Sequence, residues 1–292
     1  MSLAVVVLAA GRGVRMRSET PKVLHEAAGR PLLDRVLASA LSLGAGPIVV
    51  VVGSGLEKVL QHLAAFPGVT PVVQEPQLGT GDAVRVALPA AAGADEVLVL
   101  SGDVPLLSDA TLTRLVDARR ASGASVAFLT AEPADAAGYG RVVRDAAGSF
   151  VRVVERKDAT EEERALREVN AGVYAFARPF LEAALPHLSR ENAQGEYYLP
   201  DVLALAGGGA AVPVRVADAA EILGVNSRRE LAAADAVLRA RAVEAALDAG
   251  ATLIRPETIT LDDTVALEPD VIVEPFATLL GATRVARGSR IG

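Results

Sequence analysis

The sequence predicts an α/β fold: a mostly parallel sheet wrapped by helices, then a long helix, then the opening of a parallel β-helix. Three observations carry that prediction. Short β-branched runs alternate with helical patterns through the first half, an Ala-rich stretch of helical texture follows Asn226, and from Val265 the chain can be cut into sixes. Alternating strand and helix is the pattern of βαβ units, which build parallel sheets through right-handed crossovers.

Leu3 to Leu8 form an apolar run, as a strand buried on both faces requires. Further strands are expected over residues 47–52, 70–74, 96–100 and 125–130. Pro31 opens a helix whose Leu32, Leu33, Val36, Leu37, Ala40 and Leu41 share one face. After Tyr139 the pattern changes. Residues 141–155 read as a hairpin inserted beside the sheet, with Ala146, Ala147 and Gly148 as its turn, and residues 169–176 return to strand. A helix begins at Asn226 to Glu230, with Ser227 and Glu230 as a capping box, and stops at Gly250. At 1.5 Å per residue it spans about 36 Å, long enough to separate two bodies. Beyond it, VALEPD, VIVEPF, ATLLGA and TRVARG are led by small or β-branched residues, Val265 and Val271 most clearly, as in hexapeptide repeats. The last unit stops in mid-turn and leaves an unpaired edge, so the chain is expected to be truncated. The expected domains are 1–225, 226–250 and 251–292.

Composition narrows the function. A net charge of -7 with no Lys/Arg run argues against a nucleic-acid partner, which demands a basic surface. The apolar runs fall short of the about 20 residues a bilayer span needs, and no basic n-region precedes the first one. Cysteine is absent, which removes disulfides, thiol nucleophiles and Cys-based zinc sites. A cytoplasmic enzyme fits.

The loop leaving the first strand is the first candidate site, because α/β sheets bind ligands at the carboxyl ends of their strands. Gly11 and Gly13 let backbone N–H groups approach a polyanion, and Arg15 and Lys22 supply charge. A dinucleotide fingerprint needs glycine where Met16 stands, and the Gly-Lys-Ser/Thr of a P-loop is missing. Ser101, Gly102 and Asp103 follow the fourth strand, which sets Asp103 beside that loop. A carboxylate next to a phosphate cradle calls for a cation, and Mg2+ is satisfied by one or two carboxylates plus substrate phosphates. Residues 74–81, QEPQLGTG, form a second glycine-containing loop. There the Gln74 amide offers the donor and acceptor that a pyrimidine edge requires, and Gly79 and Gly81 allow close approach.

LAAGRGVRM with Pro21 and Lys22, then QLGTG, SGDVPL, GYGR, VERKDAT, EVNAG, GEYYLPD and GVN follow in an order that resembles bacterial N-acetylglucosamine-1-phosphate uridylyltransferases over the whole chain. The resemblance implies a Rossmann-like nucleotide-diphospho-sugar transferase domain, the long helix and the start of a left-handed β-helix. It also implies a reaction: UTP and N-acetylglucosamine 1-phosphate give UDP-N-acetylglucosamine and pyrophosphate, with Mg2+, for cell-wall precursor synthesis. Leu8, Ala9, Ala10 and Gly11 match the nucleotide loop, Arg15 and Lys22 the groups on the triphosphate, and Gln74, Gly79 and Thr80 the uracil site. Asp103 and Asn226 match the Mg2+ ligands, and Gly140, Glu155 and Asn170 the sugar contacts, with Tyr197 and Tyr198 near that pocket. Val14, Ser101 and Pro200 depart from residues common in the family. Full-length members form homotrimers through the β-helix and acetylate glucosamine 1-phosphate there, with catalytic residues that would lie beyond Gly292, so that activity is expected to be missing here.

The implied chemistry explains the scarcity of acid–base residues. A phosphate monoester has its second pKa near 6, so the attacking oxygen is already anionic and needs no general base. His25, His62 and His187 show no metal-ligand spacing. Three alternatives are set against this reading: a nucleotidyltransferase for another base or sugar, a non-catalytic trimeric scaffold, and a Rossmann dehydrogenase. The last is disfavoured by Met16 and by the lack of an acidic residue closing the second strand near Val52.

Overall fold

The computed structural model describes residues 1–53, 55–207 and 209–292. Its centre is β1 (Leu3–Leu8), flanked in parallel by β2 (Ile48–Val52) and β4 (Glu96–Ser101), with β3 (Val69–Val73) parallel to β2 at the edge. Residues Ala4 to Val7 have no exposed surface. Successive strand side chains point to opposite faces, so a strand apolar at every position is one covered on both sides.

The cover is two helical layers. Val5 and Val7 share a core with Leu33, Val36 and Leu37 of α1 (Leu32–Ser42), Val59 and Leu63 of α2 (Leu56–Leu63), and Leu112 and Leu115 of the helix Asp109–Ser122. Ala4 and Val6 face the other core, with Val84 and Ala87 of α3 (Thr80–Ala87). Each fully buried Val contributes about 1.5–3 kcal/mol, so β1 anchors the sheet. The helix Asp109–Ser122 is α4; Ser108 caps it, its hydroxyl accepting from Thr111 N at 3.2 Å.

The second half departs from simple alternation. After β5 (Val126–Ala131) comes the hairpin of β6 (Arg141–Arg144) and β7 (Phe150–Val154), and then a helical turn, α5 (Glu161–Arg164). β8 (Val169–Ala177) inserts between β4 and β5, antiparallel to both. Its register shifts between Asn170 and Tyr174, where Gly172 takes φ 73°. Next come α6 (Arg178–Ala184), α7 (Val202–Leu205) and β9 (Ala211–Arg215), which is parallel to β5 and completes the order β9-β5-β8-β4-β1-β2-β3. The sheet is thus mostly parallel, as expected. The central antiparallel strand is a refinement that local periodicity could not supply, because register partners lie far apart in sequence.

The long helix is α8 (Arg228–Asp248), with Gly250 at φ 92° closing it. Ala251 N donates to Ala246 O and Gly250 N to Leu247 O, both at 3.0 Å, which completes a Schellman stop. Its N-terminus differs from the expected capping box. Ser227 Oγ accepts from Glu230 N at 3.3 Å, but the Glu230 carboxylate receives Asn226 N at 2.8 Å and the Ser227 hydroxyl at 2.9 Å. Nor is α8 a free spacer. Ala234 and Leu238 pack on Ala27, Ala28, Leu32 and Leu106, and Asp235 accepts from Ala28 N at 2.7 Å. Its last turns give Ala246 to a separate core with Leu253, Leu261, Val271 and Val273.

That last core is the opening of a parallel β-helix. Thr260–Leu261, Ala266–Leu267, Ile272–Val273, Thr278–Leu279, Arg284–Val285 and Arg290–Ile291 recur every six residues and pair in parallel across three faces. Leu261, Val273, Leu279 and Val285 are buried and Leu267 is partly so, which means that the third position of the sixes carries core as well as the leading one. No helix among the described residues is long and apolar enough to cross a membrane.

Candidate active site

Three strands end on one side of the sheet: β1 in the glycine loop, β2 facing residues 74–79, and β4 in Ser101, Gly102 and Asp103. Hydrogen bonds between them fix the edge. Ala9 N donates to Val51 O, Gly102 N to Leu8 O and Gln74 N to Val52 O, each at 2.9 Å. A cavity of about 600 Å³ opens above, lined by Leu8, Ala9, Ala10, Gly11, Arg12, Lys22, Gln74, Gln77, Gly79, Thr80, Ser101, Asp103 and Glu196.

Two glycines make the closure possible. Gly13 takes φ 58°, and a Cβ there would stand 2.8 Å from Lys22 Cβ, so only glycine lets the loop close over the Lys22 stem. A Cβ at Gly11 would lie 3.9 Å from Lys22 Nζ, which puts the ammonium at the lip of the loop. From there Lys22 Nζ donates to the Asp103 carboxylate and, at 2.9 Å, to Asn226 Oδ1. Val225 N donates to Asp103 O at 2.8 Å, so the segment entering α8 is stapled to the end of β4.

Gln74 is nearly fully buried and its orientation is chemically fixed. Its amide NH2 faces two acceptors, Gly79 O at 2.9 Å and the Asp82 carboxylate at 2.8 Å. Both amide protons are therefore used, and Gln74 Oε1 is the group left to meet a ligand. Gly79, at φ 108°, lies under the backbone of Tyr197, and Leu199 N donates to Thr80 Oγ1 at 3.0 Å.

A second group gathers beside the bulge in β8. Asn170 N donates to Gly140 O at 2.9 Å, and a Cβ on Gly140 would stand 3.2 Å from Glu155 Oε1. Asn170 Nδ2 donates to the Tyr174 hydroxyl at 2.7 Å. Burial raises the Glu155 carboxyl above its ordinary value, and nearby Asp201 and Asp158 add to the shift. Asp201 is raised as well, by burial and by Asp158, against a smaller opposing pull from Arg152. A Cβ at Gly172 would be 3.6 Å from Ser101 Oγ, which places the bulge next to the cavity wall.

A family model for the MobA-like NTP transferase domain matches residues 5–252. The chain belongs to that family. It is 49% identical over 295 residues to a bifunctional protein GlmU of Streptomyces coelicolor, covering 99% of this chain and 61% of the relative. A GlmU of Synechococcus sp. CC9605 is 45% identical over 291 residues, and one of Pelobacter propionicus 41% identical over 293, each covering 99% of this chain and 64% of the relative. The chain thus spans between 61% and 64% of the length of these curated relatives.

Within this NTP transferase, the residues singled out in the sequence divide into three groups. Leu8, Ala9, Ala10, Gly11, Lys22, Gln74, Gly79, Thr80, Ser101 and Asp103 line the cavity, and Gly13 and Gly102 support its loops from behind. Asn226 joins them through Lys22. Gly140, Glu155 and Asn170 form the neighbouring group. Arg15 stands apart: it is exposed on the turn Val14–Met16 and is not among the cavity-lining residues. Arg12, Gln77 and Glu196 line the cavity and were not singled out. Arg12 lies between the two loop glycines, and that position was the available signal.

The donor set of Asp103 and Asn226 fits a divalent metal. One carboxylate and one amide oxygen already converge on a single cationic nitrogen, and hard oxygen ligands suit Mg2+, which keeps substrate phosphates and waters for its other positions. No group of three or more His, Cys, Asp or Glu among the described residues forms an all-protein metal cage.

Proposed function

We propose that this chain transfers UMP from UTP to N-acetylglucosamine 1-phosphate, with Mg2+ as cofactor, giving UDP-N-acetylglucosamine and pyrophosphate. The observation that carries the proposal is the meeting of Lys22, Asp103 and Asn226 at the lip of the glycine loop, above the edge of a sheet of NTP transferase type. Uridine is favoured by Gln74. Its free Oε1 accepts from the N3–H of uracil, whereas cytosine presents a lone pair at N3 and would face oxygen against nitrogen.

In this reading the backbone of residues 9–13 cradles the triphosphate, and Lys22 neutralises charge at the α-phosphorus and on the departing pyrophosphate. Asp103 and Asn226 would hold the metal, which when bound would supply Lewis-acid polarisation of the phosphates. The sugar phosphate attacks in line with its own anionic oxygen, so this chain's task is to overcome repulsion between two anions and to align them. Glu155 and Asn170 bind hydroxyl and acetamido groups of the sugar, away from the phosphates. Arg15 would have to swing inward with its loop to reach the triphosphate. The cytoplasm and cell-wall precursor synthesis follow from the same reading, and a homotrimer through the β-helix is proposed with it.

Pyrophosphate release from UTP with N-acetylglucosamine 1-phosphate, compared with glucose 1-phosphate and with the other three nucleoside triphosphates, tests the assignment directly. Turnover is expected for UTP with the N-acetylated sugar. Preference for another base or sugar phosphate would replace that substrate pair, and no pyrophosphate with any combination would favour a scaffold.

A further inference from the structure

The Lys22 ammonium stands where the metal is proposed to bind. Its Nζ is shared by the Asp103 carboxylate and Asn226 Oδ1, the same two oxygens that make up the metal's protein ligands. The side chains are well sheltered, Lys22 at 11% and Asp103 at 18% exposure, so bulk water screens the contact little. An ammonium and a divalent cation cannot occupy one point between two oxygens, and the two positive charges repel at close range.

We infer that Lys22 is an exchangeable counter-ion: in the ligand-free protein it fills the cation position between Asp103 and Asn226, and metal entry displaces it onto the triphosphate. This inference rests on the metal-dependent nucleotidyl-transfer reading and adds an order to it. The displacement is short, because Nζ already lies at the lip of the glycine loop and its stem is clamped by Gly13. Rotation about the side-chain bonds of Lys22 is enough to carry the ammonium from carboxylate to phosphate. A triphosphate offers the displaced ammonium a new anionic partner, and without one the displacement leaves that charge uncompensated. Metal and nucleotide therefore bind with mutual reinforcement, and the metal alone binds weakly.

Two measurements without nucleotide or sugar phosphate test this. Mn2+ binding to the full chain, followed by electron paramagnetic resonance, should tighten about tenfold in Lys22→Met, within the range of about 5–150-fold typical for coupled sites. Equal or weaker Mn2+ affinity in a Lys22→Met protein that still unfolds cooperatively would overturn the exchange. The unmodified protein provides a second readout that needs no stable variant. Saturating Mg2+ should speed reductive methylation of Lys22 relative to Lys58 and Lys157, and a Lys22 rate that Mg2+ leaves unmoved also overturns it. Neither readout requires UTP turnover. If both behave as expected while no pyrophosphate forms from UTP, the substrate assignment falls and the exchange stands; if UTP is turned over while either fails, the reverse holds.

Discussion

The glycine-loop side and the Glu155 side of this site handle charge in opposite ways. Around the glycine loop the polar groups are already matched: Lys22 with Asp103 and Asn226, the Gln74 amide with Asp82, and Asp82 in turn with Arg85. Around Glu155, burial raises the carboxyl and the nearby carboxylates of Asp201 and Asp158 add to the shift. On the proposed function, that contrast would sort the substrates physically. A polyanion belongs where cations can be redirected to it, and a neutral sugar rich in hydroxyl donors belongs against carboxylates.

The largest way to break that division is to remove the cations' work. Lys22→Ala should lower kcat/KM for pyrophosphate release by about 100- to 1000-fold, the usual loss on deleting one group that stabilises transition-state charge, with thermal unfolding still cooperative. Near-normal turnover would mean that the loop does not hold the reacting phosphates. A smaller effect is expected one step behind the ligands. Glu230 receives the Asn226 N–H, so Glu230→Ala should loosen the placement of Asn226 and raise the Mg2+ concentration needed for half-maximal rate by about tenfold or more, while kcat at saturating Mg2+ changes little. A fall in kcat with unchanged Mg2+ demand would place Glu230 outside metal positioning.

Smaller again is the base. Asp82 holds one amide proton of Gln74, so Asp82→Ala frees that amide to reverse and should narrow the preference for UTP over CTP by about tenfold, the worth of one hydrogen bond of about 1–1.5 kcal/mol. A ratio unchanged from the native protein would show that base selection does not pass through Gln74.

The two sides also differ in how far they were legible in the sequence. Gly11, Gly13 and Asp103 lie in loops that directly follow β-branched runs, and the parallel-sheet rule brings those loops to one edge; Lys22 comes later in the first connection, opening the turn Lys22–Leu24 behind Pro21. Asn226 lies 204 positions from Lys22, and nothing local announces that the two meet. Glu155 and Asn170 are harder still. They come from a hairpin and an antiparallel strand whose insertion between β4 and β5 is fixed by long-range register, so a residue-by-residue reading leaves them as hairpin and strand-end positions. Only the family resemblance pointed to them. The fold shows the same limit: periodicity identified α8 and the sixes of the β-helix, but the docking of α8 on Ala27, Ala28 and Leu106 depends on small residues with no pattern of their own.

The crowding at Glu155 gives the subtlest prediction, and its sign can be worked out. A carboxyl raised in the folded protein binds its proton more tightly there than in the unfolded chain. Below the unfolded value both states are protonated and the group costs nothing. As pH rises from the unfolded value through the raised folded one, the folded state pays to ionise and stability falls. Glu155→Gln removes that titration, so its stability relative to the native protein should increase across this window and then level off. Urea unfolding at a series of pH values checks it, and a difference independent of pH would mean that the Glu155 carboxyl is not raised in the folded protein. The same substitution should raise KM for the sugar phosphate more than KM for UTP. The carboxyl that costs the folded protein stability as pH rises through its raised value is, on the proposed function, the one set to meet the sugar hydroxyls.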